Sequence, residues 1–127
     1  MKYMIIGGVA GGASTAARLR RLDEQAEIIL FEKGEYISYA NCGLPYYIGG
    51  VIEERERLFV QTPESFKARF NIEVRIKSEV KAIEPENKQV VIKDWATGKT
   101  YRESFDKLVL SPGAEPVLPP WEGIRTE

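Results

Sequence analysis

Histidine is absent from the 127 residues, and cysteine occurs once, as Cys42. The first absence removes Ser-His and Cys-His catalysis, and histidine metal sites, from this stretch of chain. The second removes an internal disulfide and a multi-cysteine zinc site. Cys42 is then either a small buried hydrophobe or a single reactive thiol. Neither sign of charge is in real excess: 18 Lys and Arg against 19 Asp and Glu leave a net charge of −1. No long-range field favours nucleic acid or an anionic membrane. No apolar run approaches the ~20 residues of a membrane span. The N-terminus also lacks the long apolar region and cleavage site of a signal peptide. The expected compartment is the cytoplasm, and the expected partners are small molecules, with no nucleic acid and no membrane.

With 43% hydrophobic and 29% charged residues, the composition is that of a soluble globular chain. The length suits one domain and is short for an enzyme handling two dinucleotide-sized ligands. Lys2 to Ile6 is a short apolar run suited to a buried parallel strand. The cluster Gly7-Gly8-Val9-Ala10-Gly11-Gly12 follows, and then a helix over Ala13 to Leu22. In that helix Ala16, Leu19 and Leu22 are expected to face a sheet, with Arg18 and Arg21 together on another face. A second strand is expected over Glu27 to Glu32, completing a βαβ unit. Residues 33–50 form a long aromatic-rich insertion, a type more often functional than connecting. Asn41 is placed to cap a short helix through Tyr47, ended by Gly49-Gly50, and Thr62-Pro63 opens another helix to Phe70.

Strands are then expected at Ile72–Ile76, Val80–Ile83, Val90–Lys93, Thr100–Phe105 and Leu108–Leu110, with a turn at residues 96–99. The fold class is α/β. A Rossmann-like βαβ unit with a parallel sheet is joined by an antiparallel meander from about Val80 to Phe105. Residues 1–114 form the domain, and 115–127, proline-rich and aperiodic, read as a linker.

Three groups of residues carry chemistry. A strand turning tightly into a helix aims backbone N–H groups and the positive end of the helix dipole at one point, which suits a pyrophosphate. Gly7 permits the turn and Gly12 permits close helix packing. Glu32, about twenty residues on, is placed to accept both ribose hydroxyls of an adenosine. The usual fingerprint has glycine where this chain has Val9. A plain glycine turn is the bland alternative. Cys42, at the start of the short helix, would feel a dipole that lowers thiol pKa, with Gly43 leaving room for a ring or an incoming disulfide. Arg18, Arg20 and Arg21 are either a solvated face or a phosphate site for a second ligand, with Ser14 one turn earlier.

These segments resemble the single-cysteine branch of the pyridine nucleotide–disulfide oxidoreductases, and within it the coenzyme A–disulfide reductases. The resemblance rests on the stretch from Gly7 to Ala13, on Ala17 to Leu22, on Ser38-Tyr39-Ala40-Asn41-Cys42-Gly43-Leu44-Pro45-Tyr46, and on Asp106 to Ala114. It implies FAD, held by Gly7, Val9, Ala10, Gly11, Gly12, Glu32 and Lys33, with Asn41, Cys42, Val80, Pro112 and Gly113. It implies coenzyme A as the second ligand, contacted by Ser14, Arg18, Arg21, Ser38 and Asn41, with Cys42 as nucleophile in a mixed disulfide. NAD(P)H is the implied electron donor.

Related peroxidases place a histidine in the glycine turn, where this chain has Ala10, and that favours the disulfide reductase. Persulfide or polysulfide reductases resemble it nearly as well, and an NADH oxidase or peroxidase of the same family is a further alternative. A nucleotide-binding module with an inert cysteine is the non-enzymatic alternative. The resemblance further implies that the chain is the opening piece of a homodimeric flavoenzyme. The NAD(P)H-binding domain would follow it, and the piece alone would show no NAD(P)H turnover.

Overall fold

The computed structural model describes residues 1–8, 10–35, 37, 44–54, 62–114 and 117–123, with the backbone alone at residues 10 and 44. The expected helix cap at Asn41 lies outside the described residues. Strand β1 (Lys2–Ile6) is followed by helix α1 (Ala10–Leu22) and strand β2 (Glu27–Phe31). Helix α2 (Leu44–Ile48) and helix α3 (Pro63–Phe70) precede β3 (Glu73–Arg75). Strands β4 (Ser78–Glu84), β5 (Gln89–Asp94), β6 (Thr100–Ser104) and β7 (Lys107–Leu110) complete the order. Strands β3-β2-β1-β7 form a four-stranded sheet and β4-β5-β6 a three-stranded one. The first sheet is parallel throughout, and the second is antiparallel. No helix among the described residues is long and apolar enough to cross a membrane.

The parallel sheet is covered on both faces, and the alternation of side chains along its strands divides the core in two. Ile5, Ile28 and Leu30 point to one face and pack with Ala13 and Ala16 of α1 and Phe66 of α3. Met4, Ile29 and Phe31 point to the other, where Val90 and Ile92 of the meander meet them. The second layer on that face is therefore a sheet where a doubly wound protein would have helices.

Two expectations need correction. Helix α1 begins at Ala10, not Ala13, so Gly11 and Gly12 are helical. First-turn N–H groups have no intrahelical acceptor to lose, and a side chain at Gly12 would not fit. An added Cβ there would stand 1.6 Å from the Gly7 carbonyl oxygen. Leu22 does not face the sheet: it is 67% exposed. The helix ends at this residue, and the loop residue Ala26 is buried in the helix-side cluster instead.

Helix α3 matches its expected bounds. Thr62 and Ser65 form a reciprocal capping box, and Asn71 closes the other end in the left-handed region at φ 53°. There Arg20, read above with its neighbours as a candidate phosphate ligand, has a different task. Its guanidinium donates to the carbonyls of Phe70 (2.8 Å), Asp23 (3.1 Å), Glu24 (2.9 Å) and Asn71 (3.0 Å). One side chain thus satisfies the open C-terminal carbonyls of α3 and of the loop after α1.

Both features predict stability changes readable by urea unfolding. Arg20→Lys, unable to span four carbonyls, is expected to cost about 2 kcal/mol; a change within error would mean that water replaces the contacts. Gly12→Ala is expected to cost about 3 kcal/mol. Gly11→Ala should stay within about 1 kcal/mol of the parent, because only the Ser111 hydroxyl, 2.6 Å from the added carbon, has to turn aside. Equal losses at the two glycines would refute the packing argument.

Candidate functional site

The carboxyl ends of β1 and β2 open into a groove of ≈ 190 Å³ lined by Ile6, Gly7, Phe31, Glu32, Lys33, Ser78, Glu79, Val80 and Pro112. Crevices at this end of a parallel sheet are where α/β proteins bind ligands. Five residues named from sequence meet here: Gly7, Glu32, Lys33, Val80 and Pro112. They come from four separate stretches of chain. The floor is set by backbone contacts: the Gly7 N–H donates to the Phe31 carbonyl at 2.8 Å, and the Ser111 N–H to that of Ile6 at 2.8 Å. Gly7 has φ 102°, and a Cβ on it would lie 1.8 Å from the Ser111 carbonyl oxygen. Only glycine fits a position with both that dihedral and that neighbour.

Glu32 is fixed from two sides. Its Oε1 accepts from the Gly8 N–H at 2.9 Å and its Oε2 from the Gly34 N–H at 2.7 Å. An ionised carboxylate has about four acceptor positions, so two remain after these bonds for hydroxyl donors in the groove. The carboxylate is thereby held in place before any ligand arrives.

The group that the glycine turn implies is a dinucleotide with a pyrophosphate, and the cradle fits it. Backbone at Gly7 and Gly12 comes as close as a missing Cβ permits. The thirteen-residue α1 ends its positive pole at this turn with no acidic side chain in its first turn. Residues Val9, Asn41, Cys42 and Ser38 lie outside the described residues, as does the side chain of Ala10. Gly11 lies beside the Ser111 side chain, and Gly113 has φ 74° with open space around it.

A second groove, of ≈ 230 Å³, lies between α1 and α3 and is lined by Ala13, Ser14, Ala17, Arg21, Phe66, Arg69 and Phe70. It brings together Ser14 and Arg21, as the helical spacing led us to expect. Arg18 is exposed and does not line it. Sequence reasoning missed Arg69, which sits 5.4 Å from the centroid of Phe70, itself edge-on to Phe66 at 5.6 Å. No signal along the chain pointed to it, because the other wall of the groove is α1, about fifty residues earlier.

Ser78 and Glu79 of the first groove were also missed. Glu79 Oε1 accepts from the Trp95 indole N–H at 3.1 Å and pairs with Lys81 Nζ at 3.2 Å. The Trp95 bond first, then Lys81 and the charge of Lys33, hold the Glu79 carboxyl below the usual carboxylate range. Lys81 is the extra residue of a bulge in β4, between Val80 and Ala82. Trp95, unassigned from sequence, also lies 4.2 Å from Lys93 Nζ to its ring centroid.

Arg75, the last residue of β3, reaches Phe31 of β2 and Tyr101 of the meander, at 5.5 and 5.8 Å from the ring centroids, and pairs with Glu73 at 2.6 Å. Burial works against its charge, but the Tyr101 hydroxyl and the Glu73 carboxylate prevail and raise its pKa. It ties β3 to β2 and to Tyr101 of the meander.

Comparison with known proteins places these features in a family. The coenzyme A disulfide reductase of Staphylococcus epidermidis is 48% identical over 113 residues, 89% of this chain and 26% of that protein. The structure of reduced Bacillus anthracis CoADR-RHD is similar at 60% identity and a TM-score of 0.90, over 94% of this chain and 21% of that one. A NAD-dependent persulfide reductase from A. fulgidus is similar at 38% identity and a TM-score of 0.90, over 98% of this chain and 23% of that one. The chain thus spans about a quarter of the length of the curated relatives it matches. The model of the pyridine nucleotide-disulphide oxidoreductases matches residues 1–127. With its parallel sheet, its glycine turn and these relatives, the chain belongs to the pyridine nucleotide-disulphide oxidoreductase family.

Proposed function

We infer that this chain is the N-terminal FAD-binding segment of an NAD(P)H-dependent coenzyme A–disulfide reductase with Cys42 as its redox centre. The observation that carries the reading is the fixed carboxylate of Glu32 beside the glycine turn, in a groove at the carboxyl ends of the parallel strands. Residues 1–114 would form the flavin-binding part and 115–127 a linker, within a cytoplasmic homodimer.

In this reading the adenosine ribose is held by Glu32, the adenine lies between Lys33 and Val80, and the pyrophosphate meets the N-terminus of α1. FAD, when bound, supplies the two electrons, taken from NAD(P)H, that return the cysteine to its thiol. The chain's own chemistry is thiol–disulfide exchange. The Cys42 thiolate attacks one sulfur of coenzyme A disulfide, a Cys42–coenzyme A disulfide forms, and one coenzyme A thiolate leaves. Arg21 and Arg69 flank the groove beside Ser14, with donors suited to the phosphates of coenzyme A. The likeness to the persulfide reductase supports a second reading, in which the Cys42 thiolate attacks the outer sulfur of a persulfide, the donor S–S bond breaks and the donor thiolate leaves.

Flavin binding is tested by titrating the chain with FAD and following flavin fluorescence. Glu32→Ala is expected to weaken binding about tenfold or more; unchanged affinity would overturn the ribose assignment. The thiol chemistry is tested by intact mass after incubation with coenzyme A disulfide. One reductant-sensitive coenzyme A adduct is expected, absent from Cys42→Ser, and formed about three- to tenfold more slowly in Arg21→Ala and Arg69→Ala. No adduct, or an equal one on the serine variant, would refute the coenzyme A reading. A single added sulfur from a persulfide donor, with no coenzyme A adduct, would select the persulfide reading.

A further inference from the structure

The chain leaves the β2–β3 ladder at a single residue. In that register Phe31 stands opposite Arg75, and the Glu32 N–H donates to the Arg75 carbonyl at 3.0 Å. Carried on evenly, a parallel ladder would next join the Lys77 N–H to the Glu32 carbonyl, and the Gly34 N–H to the Lys77 carbonyl. The bonds fall otherwise. The Ser78 N–H takes the Glu32 carbonyl at 3.0 Å, and the Lys77 N–H moves on to the Gly34 carbonyl at 2.9 Å. The Lys77 carbonyl turns to the meander, where it accepts the Trp95 N–H at 2.8 Å. The Gly34 N–H, relieved of its ladder partner, donates to Glu32 Oε2 at 2.7 Å.

The cause lies in the backbone of Lys77, which sits in the left-handed region at φ 51°. Asn71 and Lys88, the other non-glycine residues with positive φ among those described, each close a helical turn. Lys77 closes none. A residue in this conformation turns its own N–H and the next one to the same side, here toward residues 32–34. Buried Ser78 fixes the turn, its hydroxyl donating to the Ile76 carbonyl at 3.0 Å. The Lys77 ammonium adds an exposed pair with Glu35 at 3.3 Å, which is worth little at that exposure.

We propose that Lys77 is a positioning residue of the nucleotide groove: its left-handed backbone breaks the ladder and so releases the Gly34 N–H to hold the Glu32 carboxylate. The inference rests on the assignment of Glu32 to the flavin's ribose. With an extended residue 77 the even ladder returns and claims the Gly34 N–H. Glu32 then keeps the Gly8 N–H alone, and its carboxylate is free to rotate out of the position that faces the groove.

The test titrates the chain and its variants with FAD, following flavin fluorescence, and records the Gly34 amide proton by NMR. Lys77→Val places a β-branched residue where positive φ is costly, and it is expected to weaken FAD binding about three- to tenfold. Lys77→Gly, which adopts that φ freely, should restore the affinity although it too lacks the ammonium. Lys77→Ala, a milder change, should fall between the two. The Gly34 proton should move upfield in Lys77→Val, as in Glu32→Ala, and stay in place in Lys77→Gly. In a Glu32→Ala background Lys77→Val should have no further effect on affinity. Equal losses in the glycine and valine variants would overturn the proposal, as would a valine effect that persists without Glu32. Should the valine variant fail to fold, the order of glycine above alanine and the Gly34 proton decide. If Glu32→Ala itself binds FAD like the parent, the ribose assignment fails and the proposal with it.

Discussion

The contact on which the rest of the site depends is that of Gly12 on the carbonyl of Gly7. It sets how deeply α1 seats against β1, and there is no room at it for even one carbon. Seated there, the helix aims its N-terminus at the end of the sheet, and the small faces of Ala13 and Ala16 fit under Ile5, Ile28 and Leu30. The same turn brings Gly7 against Ser111, so the link from β7 is registered to β1 by the glycines as well as by the ladder. A larger residue at either glycine would move the helix pole, the floor of the groove and the β7 link together. The anion site and the packing of the first layer are one constraint.

Charge is arranged around that constraint by one near and one distant neighbour for each carboxylate. Glu32 takes its bonds from Gly8 and Gly34, and Glu79 from Trp95 and Lys81. The exposed ion pairs of the meander, such as Arg102 with Glu84 at 2.8 Å, add little to stability at their exposure. Arg20 is the exception among the basic residues, because each of its bonds ends on a backbone carbonyl that would otherwise need another donor.

Much of this was legible in the sequence. The βαβ unit, α3 with its threonine cap, and the meander follow from apolar periodicity and from Gly, Pro and Thr at element ends, which are local signals. Strand ends differed by one or two residues, as where β2 stops at Phe31 and not at Glu32. Apart from the early start of α1, the failures were tertiary. Leu22 has the right helical phase, but the helix ends there, leaving nothing for it to cover. Arg20 looks like its neighbours Arg18 and Arg21 in sequence, and only the arrival of α3 beside it gives it carbonyls to bind. Arg69 and Glu79 belong to grooves whose other walls lie tens of residues away, beyond the reach of any pattern read along the chain.

Because the groove has β1 and β2 on one side and Ser78 to Val80 of the meander on the other, its two walls belong to different sheets. They are joined by the apolar interface where Val90 and Ile92 meet Met4, Ile29 and Phe31, and by the Ser78 and Lys77 N–H groups, which donate to the carbonyls of Glu32 and Gly34. Any ligand touching both walls adds a further tie between the two sheets. Occupancy and the docking of the meander are then thermodynamically linked. A nucleotide that fills the groove lowers the opening rate of the meander amides, and a mutation deep in that interface weakens nucleotide affinity without touching the ligand. Cofactor retention in this fold is in part a property of how two sheets stack.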